Sequence, residues 1–417
     1  MTGSSVAPED VELLEVILTA GCNLRCTYCY QNDKKPRSMS WETLQGALDL
    51  LLRSRRRKVE VLFLGGEPLL EVPLIQKAVE YVRVARPPRK TVRYSIITNG
   101  TLLREEQAAF LARHRFGTQL SFDGVPAAQD LRGPRTFPVL DALLDRLRGD
   151  HPQLFRERLN VSLTLTAATI PHLDESIAYF LRRGVPEVAI SPNVSHDVLW
   201  KNDMIAVLDE QFAKVFQTCL RHYRRTGEVP LLLFRKDGAD DGHQPQGDAM
   251  CGAPSGRTLA VDVDGQVHGC AVFAESYQKF PVPFLRRRVE SIRMGDFRAP
   301  GFSERLALYP EATRAAGIFH HKREKYSSYG RCGDCRFLDS CSICPASIGH
   351  IPGNTDPRRV PDFPCAYNLV SLKYRERFPT RPSALDVLTG RVKAYGPLGE
   401  SQRRLLRVSR RVRSVGA

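Results

Sequence analysis

The stretch Thr19-Ala-Gly-Cys-Asn-Leu-Arg-Cys-Thr-Tyr-Cys-Tyr30 sets three thiols, Cys22, Cys26 and Cys29, within eight residues and directly after the apolar run 11–19. Three thiolates at this spacing suit three corners of a four-iron cube and leave the fourth iron open to bind a small molecule. Structural zinc fits poorly here, because no fourth Cys or His lies nearby to close a tetrahedral site.

Seven of the remaining eight cysteines form a second group: Cys251, Cys270, Cys332, Cys335, Cys341, Cys344 and Cys365. Its paired Cys-x2-Cys units are compatible with two further iron–sulfur clusters or, taken alone, with a zinc module. Disulfides are the weaker reading. The N-terminus Met-Thr-Gly-Ser-Ser has no basic start and no apolar core of a signal peptide, and no run of 18 apolar residues exists to span a membrane. A cytoplasmic, reducing location is therefore expected, where cysteines serve metals or catalysis. The leftover Cys219, among Phe212, Val215 and Phe216, reads as a small buried apolar residue.

The chain has 417 residues, enough for two or three domains, and 42% hydrophobic residues, enough for a core. Its net charge of +15 is unevenly spread: residues 371–417 hold 12 Lys/Arg against 3 Asp/Glu, notably Arg403, Arg404, Arg407, Arg410, Arg411 and Arg413. A basic terminus of this kind reads as a solvated tail or a guide for an acidic partner. Without aromatic interleaving or a binding motif, it does not indicate nucleic acid.

Strands are predicted at 11–19, 59–64, 92–97, 118–122, 160–166 and 187–191, and helices between them at 41–51 (capped by Ser40), 75–84, 103–114, 140–147 and 173–181. Six such βα repeats predict a parallel sheet closed into a partial (β/α)6, TIM-like barrel. The unusual loops all follow strands: the cysteine loop, Gly65-Gly66-Glu67-Pro68, Thr98-Asn99-Gly100 and Ser121-Phe-Asp-Gly124. In parallel α/β folds sites form at that end. A helical segment, 205–225, leads to a polar link at 237–247. The second cysteine group, poor in periodic runs, is expected to be held together by clusters more than by an apolar core. The domains expected are 1–200 (barrel), 201–247 (helical bridge and linker), 248–370 (auxiliary-cluster domain) and 371–417 (basic helical or tail segment).

Cys22-x3-Cys26-x2-Cys29 with Tyr28, followed by Gly-Gly-Glu-Pro on the next βα loop, resembles the radical S-adenosylmethionine (SAM) superfamily over residues 12 to about 200. The resemblance implies a [4Fe-4S] cluster on those three cysteines, whose open iron binds SAM. SAM is then reductively cleaved to methionine and a 5′-deoxyadenosyl radical that takes a hydrogen atom from substrate. It further implies SAM contacts. Gly65 and Gly66 would permit close backbone approach, Glu67 would accept from the ammonium group, and Tyr28 would lie near the adenine. Asn99 and Ser121 would serve the ribose, and Arg132 the carboxylate.

The downstream group is similar to the SPASM extension of that superfamily, with Cys251, Gly265-x4-Cys270, Cys332, Cys335, Cys341 and Cys365 matching and the Cys341-x2-Cys344 interval one residue short. The resemblance implies crossed wiring: Cys251, Cys270 and Cys344 on a first auxiliary [4Fe-4S] cluster, and Cys332, Cys335, Cys341 and Cys365 on a second, three clusters in all. Some relatives carry an extra cysteine where Arg257 stands, which would leave an open iron in the first auxiliary cluster. Such proteins mostly modify peptides. Sulfatase maturases carry an Asp directly after the cysteine matching Cys270, where this chain has Ala271.

The expected activity is thus an oxidoreductase that builds a thioether or carbon–carbon crosslink in a precursor peptide. Its partners would be a flavodoxin or ferredoxin as electron donor and a separate leader-binding protein. The rival readings are a peptide epimerase, a sugar or alcohol dehydrogenase, and an inactive electron-transfer scaffold. No general base stands out; His268, beside Cys270, is considered, and His320-His321 read as loop residues.

Overall fold

The computed structural model describes residues 10–31, 34–235, 248–277 and 280–379. The predicted link at 237–247 and the arginine-rich run from Arg403 to Arg413 lie outside these residues.

Six strands run parallel and in sequential order: β1 (Leu13–Ile17), β2 (Lys58–Leu64), β3 (Thr91–Thr98), β4 (Gly117–Ser121), β5 (Leu159–Leu165) and β6 (Val188–Pro192). Helices Trp41–Leu52, Val72–Ala85, Glu105–Arg113, Phe137–Asp150 and Leu173–Arg182 form the crossovers. The predicted partial barrel is therefore present. Its first helix starts where Ser40 Oγ accepts the Thr43 N–H at 3.2 Å, and it buries Leu44, Ala47, Leu48 and Leu51. Alternation along β5 is strict: Val161, Leu163 and Leu165 enter the core beneath the helices. On the barrel's other face, Ser95, Gln119 and Asn160 line an open interior. This opening lies toward the N-terminal ends of the strands, where Glu12, Lys58 and Glu187 also line it, opposite the cysteine loop.

The sheet does not stop at the predicted domain boundary. β7 (Thr258–Val261) pairs parallel with β1 on the side away from β2, and β8 (Gln266–His268) and β9 (Gly295–Asp296) continue it antiparallel. The β7–β8 turn runs through Asp264-Gly265, with Gly265 at φ 91°. The apolar core is also continuous. Leu285 and Leu306, from helices Pro283–Ser291 and Phe302–Ala316, belong to one cluster with Leu14 and Val61. The expectation that clusters rather than a core hold residues 251–365 is thus corrected, because both helices bury an apolar face on the barrel's own core.

Helix Asp362–Arg377 crosses the predicted boundary at 370/371. It packs along Ile205–Thr226 through aromatic contacts of Phe212 with Tyr367 and of Phe216 with Tyr374 and Phe378. Cys219 lies buried in the same core, as expected of a small apolar residue. Phe378 closes this layer, stacked on Phe234 at 4.4 Å and 3°. Phe378→Ala should therefore cost about 3–5 kcal/mol of stability. Urea unfolding followed by circular dichroism checks this, and a change below about 1 kcal/mol would place the C-terminal helix outside the cooperative core.

Candidate active site at the strand ends

The first two βα loops are pressed together backbone to backbone. Gly66 N–H donates to Thr19 O at 2.8 Å, and Glu67 N–H donates to Gly21 O at 3.0 Å. A Cβ on Gly66 would fall 2.2 Å from Gly21 O, and one on Gly65 (φ 155°) 2.6 Å from Thr19 O. The close approach that calls for glycine is thus made to the cysteine loop itself. Steric exclusion by the chain, before any ligand is considered, accounts for both residues.

Glu67 is 0% exposed. Its Oε1 accepts from Leu69 N at 3.0 Å and Thr98 Oγ1 at 2.6 Å, and its Oε2 from Asn99 N at 2.8 Å. Burial pushes the carboxyl up to about 7 against the pull of these three hydrogen bonds. The side chain therefore ties the ends of β2 and β3 together. Asn99 in turn donates from Nδ2 to Asn23 Oδ1 at 2.9 Å, with Cys22 Sγ 4.0 Å from the same nitrogen. The third loop thereby steadies the first cysteine.

The fourth loop centres on Asp123, a residue the sequence marks only as a strand end. Its carboxylate accepts from the Tyr28 hydroxyl, from Arg132 Nη2 at 2.8 Å and from Thr164 N at 2.9 Å. The Arg132 guanidinium lies 5.5 Å from the Tyr28 ring centroid. Arg132 is buried with Asp123, and its Nε is a buried donor with no partner among the described residues. An unmet buried N–H beside Cys26 suits a ligand carboxylate. Ser121 ends β4, in register with Ser162.

The cysteines separate into three neighbourhoods. Cys22, Cys26 and Cys29 act electrostatically on one another. Cys251 and Cys270 are neighbours of Cys344. Cys332, Cys335, Cys341 and Cys365 line one cavity. These are chemically sound donor sets for iron–sulfur clusters. Burial pushes the Cys26 and Cys365 thiols up to about 11 and those of Cys251 and Cys341 to about 12. A metal binding at these thiols would have to displace their protons.

Three residues that sequence reasoning passed over join the first two neighbourhoods. Glu15, buried on β1, accepts from the N–H of Ala271, next to Cys270, at 2.7 Å. Tyr277 donates to Gly65 O at 3.0 Å and meets Tyr30 edge-on at 5.6 Å. Tyr30 itself has Cys29 and Cys270 among its charged neighbours. A glutamate inside an otherwise apolar strand was the available signal for the first; Tyr277 had none. His268 is buried on β8, where desolvation lowers it to about 4, and His320-His321 precede the short turn Lys322–Glu324.

Gly66→Ala should displace the cysteine loop without unfolding the barrel. The expected result is loss of iron from the first site, measured by iron content per chain, with an unchanged far-ultraviolet spectrum. Full iron retention would show that the two loops are not rigidly packed.

Comparison with known proteins agrees with this geometry. Residues 16–149 match the model of the radical SAM superfamily. An uncharacterised protein of Methanocaldococcus jannaschii is 30% identical over 258 residues, 61% of this chain and 82% of its own. A cysteine-type anaerobic sulfatase-maturating enzyme of Clostridium perfringens is 27% identical over 175 residues, 39% of this chain and 46% of its own. The structure of anSMEcpe with bound AdoMet superposes with TM-score 0.67 at 18% identity, covering 88% of this chain and 97% of that one. Streptococcus suis SuiB bound to its precursor peptide SuiA gives 0.55 at 13% identity, covering 85% and 76%. With the triad, the glycine loop and the barrel all in place, the chain belongs to the radical SAM superfamily.

Proposed function

We propose that this chain is a peptide maturase that takes a hydrogen atom from a ribosomally made peptide and oxidises it to a thioether or carbon–carbon crosslink. The observation that supports this reading is the Glu15–Ala271 contact. It sets the second cysteine neighbourhood against the inner face of the barrel strand that leads into the first. Loaded with a [4Fe-4S] cluster and SAM, the Cys22, Cys26 and Cys29 site supplies a 5′-deoxyadenosyl radical.

The chain's residues divide the remaining work. Arg132 Nε offers a donor to the SAM carboxylate, while Asp123 holds its other end. The Gly65-Gly66 loop shapes the methionine end, and Tyr28, Asn99 and Ser121 line the adenosine side. Each new bond in the peptide removes two hydrogens. One leaves as the abstracted atom; the other leaves as a proton and an electron. In this reading Glu15 receives the proton, and a cluster on Cys251, Cys270 and Cys344 would receive the electron. Directly after Cys270 stands Ala271, whose N–H meets Glu15 from β1. A cleft of about 290 Å³ between the loop after β6 and the segment 347–364 is the proposed peptide path. It is lined by His196, Lys201 and His350, and the exposed Val198 and Leu199 belong to the same loop. A separate electron donor completes the system.

Anaerobically reconstituted protein is expected to hold about 12 irons, falling to about eight when Cys22, Cys26 and Cys29 are all replaced by Ala. Two zinc ions per chain in the second group would overturn the three-cluster reading.

Reduced protein should cleave SAM, and co-expression with a precursor peptide encoded beside its gene should give a product lighter by two hydrogens per crosslink in mass spectrometry. Cys270→Ala should abolish that loss. Glu15→Gln should lower product yield at least tenfold while SAM cleavage and iron content stay at parental levels. An epimerised peptide of unchanged mass, or turnover of a small metabolite alone, would sink the crosslinking assignment.

A further inference from the structure

Lysines are among the residues least often buried, and an ammonium group removed from water without an anion is costly. Two lysines here are removed from water side by side. Lys325 is 1% exposed and Lys322 8%. Both line the cavity that holds Cys332, Cys335, Cys341 and Cys365. Lys325 Nζ donates to Pro357 O at 3.3 Å, and neither ammonium makes an ion pair with a carboxylate among the described residues. The backbone fixes the arrangement, since Cys332 N–H donates to Lys325 O at 2.8 Å and the turn Lys322–Glu324 leads straight into Lys325.

Once ionised, the thiols would be the foremost charges facing these lysines. Cys332 is the foremost charge acting on Lys325, ahead of Asp248 and Asp356, with Arg288 opposing. Lys322 is the foremost charge acting on Cys341. Cys332 feels both lysines.

We propose that Lys322 and Lys325 are the built-in counter-ions of the four-cysteine cluster and raise its reduction potential, making it the electron sink of the chain. This rests on the reading of Cys332, Cys335, Cys341 and Cys365 as one [4Fe-4S] site. Four thiolates around an oxidised core leave a net double negative charge, which two ammonium groups balance. Reduction adds one electron and no proton, so a fixed positive charge stabilises the reduced form more than the oxidised one. Outer groups of this kind, together with burial, set cluster potentials. The electron released from the peptide then has a downhill destination away from the barrel. Its exit is at hand, because the turn 330–336 carrying Cys332 and Cys335 lies at the surface, with Arg331 and Arg336 exposed.

The test is a redox titration of reconstituted full-length protein followed by electron paramagnetic resonance, with iron content measured in parallel. Lys325→Met and Lys322→Met should each keep parental iron. Each should make one of the three clusters about tenfold harder to reduce, a downward shift of about 59 mV for a one-electron couple. Lys325→Arg should restore the parental potential. Unchanged potentials at full iron content overturn the proposal. If Lys325→Met loses the cluster, Lys325→Gln is titrated instead, and a parental potential there also overturns it. The paired variant Cys332→Ala/Cys335→Ala separates the two failures. Loss of about four irons upholds the four-thiolate site whatever the lysines do. Full iron retention removes that site, and the proposal with it.

Discussion

Strand β1 has a parallel neighbour on each side, and the arrangement of the cysteines follows from that pairing. On one side β2 runs in register with it from Leu13–Glu60 to Ile17–Leu64, so the two strands end level. The cysteine loop and the Gly-Gly-Glu loop must then share one space, and only residues without a Cβ allow it. On the other side β7 pairs from Leu13–Thr258 to Val16–Val261, and the hairpin that follows turns back antiparallel, with His268 opposite Ala260, and brings the Ala271 N–H to the Glu15 carboxylate. A five-residue strand thus brings together thiols that are more than two hundred positions apart in the chain. Its inward carboxylate, Glu15, adds to the β1–β7 ladder by accepting from the Ala271 N–H. Removing a buried acceptor of that kind strands a buried N–H, so the contact has structural as well as chemical weight.

Much of the barrel was legible in the sequence, for reasons visible in particular elements. β5 alternates without a fault, the helix at Trp41–Leu52 has its Ser40 cap, and each strand ends in residues that cannot continue it. These are local signals. The β7–β8 hairpin carried a signal as well, since Asp264-Gly265 between alternating apolar residues is a turn pattern. It was overshadowed by the cysteines around it. The boundary drawn at 370/371 failed for a different reason. Basic residues at Lys373, Arg375 and Arg377 made the segment look solvated, while Tyr374 and Phe378, at helical spacing, were packing inward.

The site shows the same division. The thiols and glycines stand out by type and spacing, which local sequence records. What the glycines are for, and which groups hold Arg132, Tyr28 and Asn99, depends on residues from other loops. Asp123 sits at the end of a neighbouring strand and Asn23 inside the cysteine loop itself. Glu67 illustrates the difference. Its type and position suggested a ligand contact, yet three donors from its own chain already converge on it. A carboxylate so engaged sets the geometry of two loops.

Charge is where sequence reading is weakest, because a charged residue is read as solvated until the fold shows otherwise. Most of the net charge of +15 looks like surface or tail, yet Arg132, Lys322 and Lys325 are buried. In each case the compensating groups belong to a site: Asp123 and Cys26 for Arg132, the four-thiol cavity for the two lysines. Burying a cation is tolerated where an anion faces it, and in the four-thiol cavity the thiols would add such charge, once ionised, to that of Asp248 and Asp356. Among the described residues neither Lys322 nor Lys325 pairs with a carboxylate, so ionising the four thiols would add the negative charge that the lysines lack.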